Sequence, residues 1–126
     1  MKLRNLLVVN AIVALVYGIS FVLAPATVLS LHGMTQGTSE ALAGQYFGVA
    51  LIAIGLLTWF ARSVTDSDAQ RAIILALLIS DVIGVIVSVL GIVSGVMNAV
   101  GWSAAGIYLL LALGYAYFQF VKPSAS

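Results

Sequence analysis

The chain contains no cysteine, which excludes disulfides, thiolate catalysis and thiolate metal sites. Charge is scarce too. Lys and Arg total 5, Asp and Glu total 4, and there is one His. Charged residues are 7% of the 126, where soluble domains carry about 25%. So small a set cannot solvate a globule of this size, and a secreted enzyme or a disordered regulator is excluded. The net charge of +1 supplies no field for nucleic acid. A zinc or di-iron site needs roughly three or four converging ligands, and the His and acid inventory points against one. No metal or other cofactor is expected. Strict alternation of polar and apolar residues is absent, so a transmembrane barrel does not fit.

What is there is apolar. Hydrophobic residues make up 63% of the chain, and the mean hydropathy is +1.19. A bilayer core about 30 Å thick takes about 20 mostly apolar residues per helix. Four stretches qualify, at 5–24, 40–61, 70–95 and 98–121. The expected fold is all-α: an integral membrane, antiparallel four-helix bundle in one domain. Pro25 stands where the first helix can stop. Residues 26–31 read as a short interfacial turn. Thr38 or Ser39 is placed to cap the second helix, with Glu40 in its first turn. Ser67 with Gln70 three residues on reads as a capping box for the third. The short link at 97–101 makes the last two helices antiparallel neighbours.

Orientation follows from the basic residues. Lys2, Arg4, Arg62, Arg71 and Lys122 fall at the two ends and in the middle loop, and the other loops carry none. The positive-inside rule puts both termini in the cytoplasm and the protein in the cell membrane. Trp59, Phe60, Tyr117 and Phe120 then mark the inner interface, and Trp102 the outer one. The basic start, the apolar run and Ala24-Pro25-Ala26 also resemble a signal peptide. Its apolar core is longer than the roughly 7–15 residues of such signals, so a retained helix is expected.

Membrane helices associate through small residues and interhelical hydrogen bonds. Each span has such a face: Asn10, Ala14, Tyr17 and Gly18; Gly44, Gly48 and Gly55 beside Gln45; Ser80, Gly84, Ser88, Gly91 and Gly95; Gly101, Ala105, Tyr108, Ala112, Tyr115 and Gln119. Gly44-x-x-x-Gly48 and Gly91-x-x-x-Gly95 serve either packing within the chain, the favoured reading, or a homodimer.

Asp81 is the residue that demands a reason. It lies about 11 residues into the third span, roughly 16 Å deep. An Asp at that depth costs about 2.5–3.5 kcal/mol on an insertion scale. It is therefore expected to face the bundle, beside Gly84 and Ser88. No Lys or Arg lies deep within a span to pair with it, Arg71 standing at the very start of the third. It is either neutral, or ionised and met by a cation, or alternating between the two as a proton carrier does. Tyr17 and Tyr108 fall near its level, Asn10 and Tyr115 nearer the inner side, and Gln45 nearer the outer. Together they are candidates for a polar column through the bundle. The alternative is a neutral, hydrogen-bonded Asp81 that only fixes helix register. His32, beside Gly33 in the outer loop, reads as a solvated side chain. Asp66 and Asp68 read as a solvated loop and helix start.

The string from Gln45 through Tyr-Phe-Gly-Val-Ala-Leu-Ile-Ala-Ile-Gly-Leu-Leu-Thr-Trp-Phe-Ala to Arg62 resembles the second helix of small DoxX-like four-helix membrane proteins. Pro25 after the first helix and the Asn98-Ala-Val-Gly-Trp102 entry to the fourth are similar as well. The resemblance implies a four-helix fold. Some members of that group are accessory membrane subunits of respiratory or thiol–redox complexes. The lack of cysteine sets this chain apart from a direct redox role. Small multidrug exporters are as short, but their acid lies in the first helix, where this chain has none.

The expected function is that of a multi-pass membrane protein, non-enzymatic, acting as a structural or accessory subunit of a membrane complex. Its partners would be the lipid bilayer and other membrane chains or a second copy. The alternative is a small proton-coupled transporter or a binder of a lipophilic or cationic small molecule, centred on Asp81.

Overall fold

A computed structural model describes residues 2–35 and 37–121. Lys122 and the tail beyond it, Pro123 included, fall outside the described residues. The chain forms α1 (Leu3–Leu23), α2 (Pro25–Leu31), α3 (Thr38–Ala61), α4 (Ser67–Val93) and α5 (Gly101–Ala116), followed by a π-helical turn at Tyr117–Val121. There is no strand among the described residues. Leu3–Leu23, Thr38–Ala61, Ser67–Val93 and Gly101–Val121 are each long and apolar enough to cross a membrane. At 1.5 Å per residue they span roughly 30–40 Å, the reach a bilayer core requires.

The helix ends differ in detail from the sequence reading. Residues 26–31 belong to a helical segment, α2, with Pro25 at its first position, where a missing N–H costs nothing. Gly37, not Thr38 or Ser39, is the N-cap of α3, and it makes no side-chain cap. Thr38 is already helical, so its hydroxyl is past the capping position; Glu40 does lie in the first turn. At α4 the capping box is replaced by Asp66, whose carboxylate accepts from Ala69 N at 2.9 Å. Ser67 is one position too late to cap. Gln70 instead turns back, its Nε2 donating to Val64 O at 2.6 Å.

α4 stops at Val93, short of Gly95. Gly95 adopts φ 82, a left-handed conformation that ends helices. The amides of Val96 and Met97 both reach Gly91 O at 3.0 Å. Gly95, expected on a packing face, is thus a turn residue, and a Cβ there would meet nothing within 4 Å. Gly91 lies against Met97 of the same link. Residues 98–100 form a turn before α5, with Asn98 Oδ1 accepting from Val100 N at 3.0 Å.

α1 packs along α3, and α4 along α5. Across the first pair Leu15 meets Gly55, Gly18 meets Gly48, and Phe21 meets Gly44. Residue numbers rise on one helix as they fall on the other. The approach is close: a Cβ built on Gly48 would sit 2.6 Å from Gly18 O. Only residues without a side chain permit such contact between backbones. In the second pair Gly84 lies under the Tyr108 ring and Gly101 under Ile92.

The two pairs join where Leu3, Leu6, Leu7, Ala61, Ile74, Leu77, Leu111, Tyr115 and Phe118 form one buried cluster. It lies at the end where α1 and α4 begin and α3 finishes. Gly114 of α5 rests on Leu6 of α1 there. At the opposite end the pairs are tied by hydrogen bonds: Asn98 N donates to His32 O at 2.9 Å, and Asn98 Nδ2 to Leu31 O at 3.3 Å. Outward faces are apolar, with Val87 61% and Leu110 70% exposed. In water such a continuous apolar shell would be an aggregation surface, whereas lipid accepts it.

Candidate functional site

The buried side chains of α4 fall at helical spacing: Ile74, Leu77, Asp81 and Ser88. Asp81 therefore turns inward with its apolar neighbours and is 4% exposed. Its Oδ2 is buried and has no hydrogen-bond partner. Buried polar atoms are nearly always paired, so an orphaned carboxyl oxygen calls for an explanation.

Two tyrosines of α5 complete the neighbourhood. The Tyr108 ring covers Gly84, one turn along α4 from Asp81. Tyr115 lies two turns further along α5 and is fully enclosed, at 0% exposure. The Tyr115 hydroxyl accepts a hydrogen bond from Asn10 Nδ2 at 2.6 Å, joining α5 to α1. Asn10 is itself buried, at 4% exposure. Asp81, Tyr108, Tyr115 and Asn10 thus occupy the interior between α1, α4 and α5.

The remaining residues of the expected column lie elsewhere. Gln45 is engaged across the α1–α3 seam, its Nε2 donating to Val22 O at 3.1 Å. Tyr17 is half-buried and lines a cleft with His32 and Val100. A second cleft, of about 420 Å³, lies between α3 and α4, with Leu57, Ala76 and Ser80 among its walls. Asp81 lines neither of these two clefts. Of the small residues, Gly44 and Gly48 sit in the α1–α3 seam, Gly84 under Tyr108, and Ser88 is buried on α4.

Two polar features, Thr58 and the link from Asn98 to His32, escape sequence reasoning, while Gln119 falls on the face expected of it. Thr58 is fully enclosed and returns its hydroxyl to Ile54 O at 2.9 Å and Gly55 O at 3.1 Å. Its place one turn after Gly55, on the small-residue face, is the signal that marks it. Gln119 Oε1 is buried without a partner within the π-helical turn. The link from Asn98 to His32 spans too much sequence for any local pattern to show it. Among the described residues, no three His, Asp or Glu side chains gather as a metal site requires. Compared with protein-family models, curated proteins and solved structures, the chain matches none.

Proposed function

We propose that this is a multi-pass protein of the cell membrane, an antiparallel four-helix bundle with both termini cytoplasmic. Its working group is the Asp81 carboxyl, held as an exchangeable proton site between Tyr108 and Tyr115. One observation carries the reading: a carboxyl near the middle of α4 is 4% exposed and leaves Oδ2 unpaired. An acid in that position is a functional site by default, because a purely structural polar group would be expected to satisfy its hydrogen bonds. The cationic side chains of the crossing helices, Arg4 and Arg71, stand at the helix ends, Arg71 roughly 15 Å along α4 from Asp81, so the carboxyl is met by a proton or by a small cationic ligand. Arg62 supports the orientation: its guanidinium lies 3.8 Å over the Trp59 ring at the end of α3, an arrangement suited to the inner interface.

Infrared spectroscopy of the reconstituted protein, titrated with acid and base, tests this directly. A carboxylic-acid C=O band that appears and disappears with pH, and is missing from Asp81→Asn, is expected. A protonated band that never titrates would make Asp81 a fixed packing group.

The second reading is the non-enzymatic accessory subunit. It is favoured by the enclosure of Asp81 away from both clefts and by the apolar outer faces. The resemblance to DoxX-like proteins, some of them accessory subunits, agrees with it. It predicts that the chain at native expression levels migrates in mild detergent as part of a stable heteromeric assembly. Migration as a monomer or homodimer would contradict it.

A further inference from the structure

The cleft at the end opposite the buried cluster has a different character from the Asp81 interior. Its volume is about 250 Å³, just under the roughly 300–1,000 Å³ of pockets for drug-sized ligands. Val16, Leu31 and Val100 give it apolar walls, and Tyr17 and His32 supply polar groups. It lies between α1, α2 and the start of α5. α1 and α5 touch at Leu6–Gly114 and Asn10–Tyr115, and Tyr17 lies two turns further along α1, where the cleft opens.

The histidine is fixed in both place and tautomer. His32 Nδ1 lies 2.9 Å from Val28 O. A carbonyl only accepts, so Nδ1 carries the hydrogen and the neutral ring keeps Nε2 as a bare acceptor. The backbone on either side is tied by Asn98, which donates to His32 O at 2.9 Å and to Leu31 O at 3.3 Å. Gly33, at φ 70, makes the turn that brings Asn98 alongside, and a Cβ there would sit 3.0 Å from that side chain. The third polar side chain of the cleft, Ser20, is already committed to Val16 O at 2.7 Å. The Tyr17 hydroxyl makes no hydrogen bond among the described residues and remains available.

We propose that this cleft binds a small lipophilic alcohol or phenol. The ligand hydroxyl donates to His32 Nε2 and accepts from the Tyr17 hydroxyl, while its apolar body rests on Val16, Leu31 and Val100. The donor and acceptor pair select that class. An ether accepts but cannot donate. An anion finds no fixed positive charge among the lining residues, and a permanent cation finds no carboxylate. The site stands apart from Asp81 and does not rest on its role.

The single His of the chain makes the test clean. The full chain is labelled with nitrogen-15 histidine, placed in lipid nanodiscs at neutral pH, and titrated with naphthol. Methoxynaphthalene at the same mole fraction in the lipid is the control that cannot donate. The free protein should show hydrogen on Nδ1 and none on Nε2. Naphthol should shift Nε2 saturably, with the ether about tenfold weaker, as expected for a lost hydrogen bond that leaves its acceptor unpaired. Leu31→Trp, on an exposed residue that fills the cleft, should abolish the saturable shift; Val16→Trp is the second filling variant should the first not fold. Hydrogen found on Nε2, equal or non-saturating shifts with both probes, or an unchanged titration in the filled variants would each overturn the proposal.

Discussion

The same substitution at two glycines should have opposite effects. Gly48 and Gly106 are both helical, in α3 and α5. Replacing either with Ala removes the helix cost of Gly, a gain of about 0.5–1 kcal/mol. At Gly106 a Cβ meets nothing within 4 Å, so that gain stands alone. At Gly48 the new Cβ falls 2.6 Å from Gly18 O and 2.9 Å from Phe21 Cβ. Backbone cannot rotate aside as a flexible side chain does, so α1 and α3 must separate. Overpacking of this kind costs about 1–3 kcal/mol. The propensity gain is common to both variants and cancels in their difference, which is therefore about 1–3 kcal/mol. Unfolding in mixed micelles by added dodecyl sulfate, followed by helical circular dichroism, measures it. Gly106→Ala should raise the midpoint and Gly48→Ala should lower it. Shifts of the same sign and size would mean that α1 and α3 do not meet at these glycines.

Other consequences are open to the same assay. Tyr115→Phe removes the acceptor of Asn10 and should destabilise by about 0.6–1.7 kcal/mol, the range of interhelical hydrogen bonds measured in membranes. Adding Tyr115→Phe to Asn10→Ala should then cost little more, and full additivity would mean the two side chains are not bonded. Asp66→Ala should cost about 0.5–2 kcal/mol through loss of the α4 cap, while Ser67→Ala should be nearly neutral. The reverse ranking would restore Ser67 as the cap. Asp81→Asn should fold and hold its stability at both acidic and neutral pH, since its carboxyl oxygen gives up no hydrogen bond within the fold. A clear loss at both would favour a structural role.

The sequence carried the layout but not the azimuths. Long apolar runs interrupted by few charges are sufficient to place four helices. Their ends shift by a residue or a few because hydropathy fades gradually, whereas single hydrogen bonds such as Asp66 to Ala69 N set the caps. Gly44 and Gly48 were legible as small residues at helical spacing. The same spacing at Gly91 and Gly95 misled, because it does not reveal that the second glycine has left the helix at φ 82. Asp81 was recognisable from its depth alone. Tyr17 was placed by the same depth argument and is about a heptad from Asn10, on nearly the same face. Rise along a helix says nothing of how far the neighbouring helix stands off, and Tyr17 borders a cleft where Asn10 meets Tyr115. His32 read as a solvated loop residue because its anchor, Asn98, lies in a distant link.

The central claim is that the four apolar helices cross a membrane with both ends inside. The cysteine-free chain allows it to be tested with one introduced thiol at a time. Thr35→Cys lies in the exposed α2–α3 loop and Thr65→Cys in the exposed α3–α4 loop. Intact cells are treated with a membrane-impermeant maleimide. Thr35→Cys should label at once and Thr65→Cys only after the membrane is permeabilised. Labelling of both in intact cells, or the reverse pattern, would contradict the account.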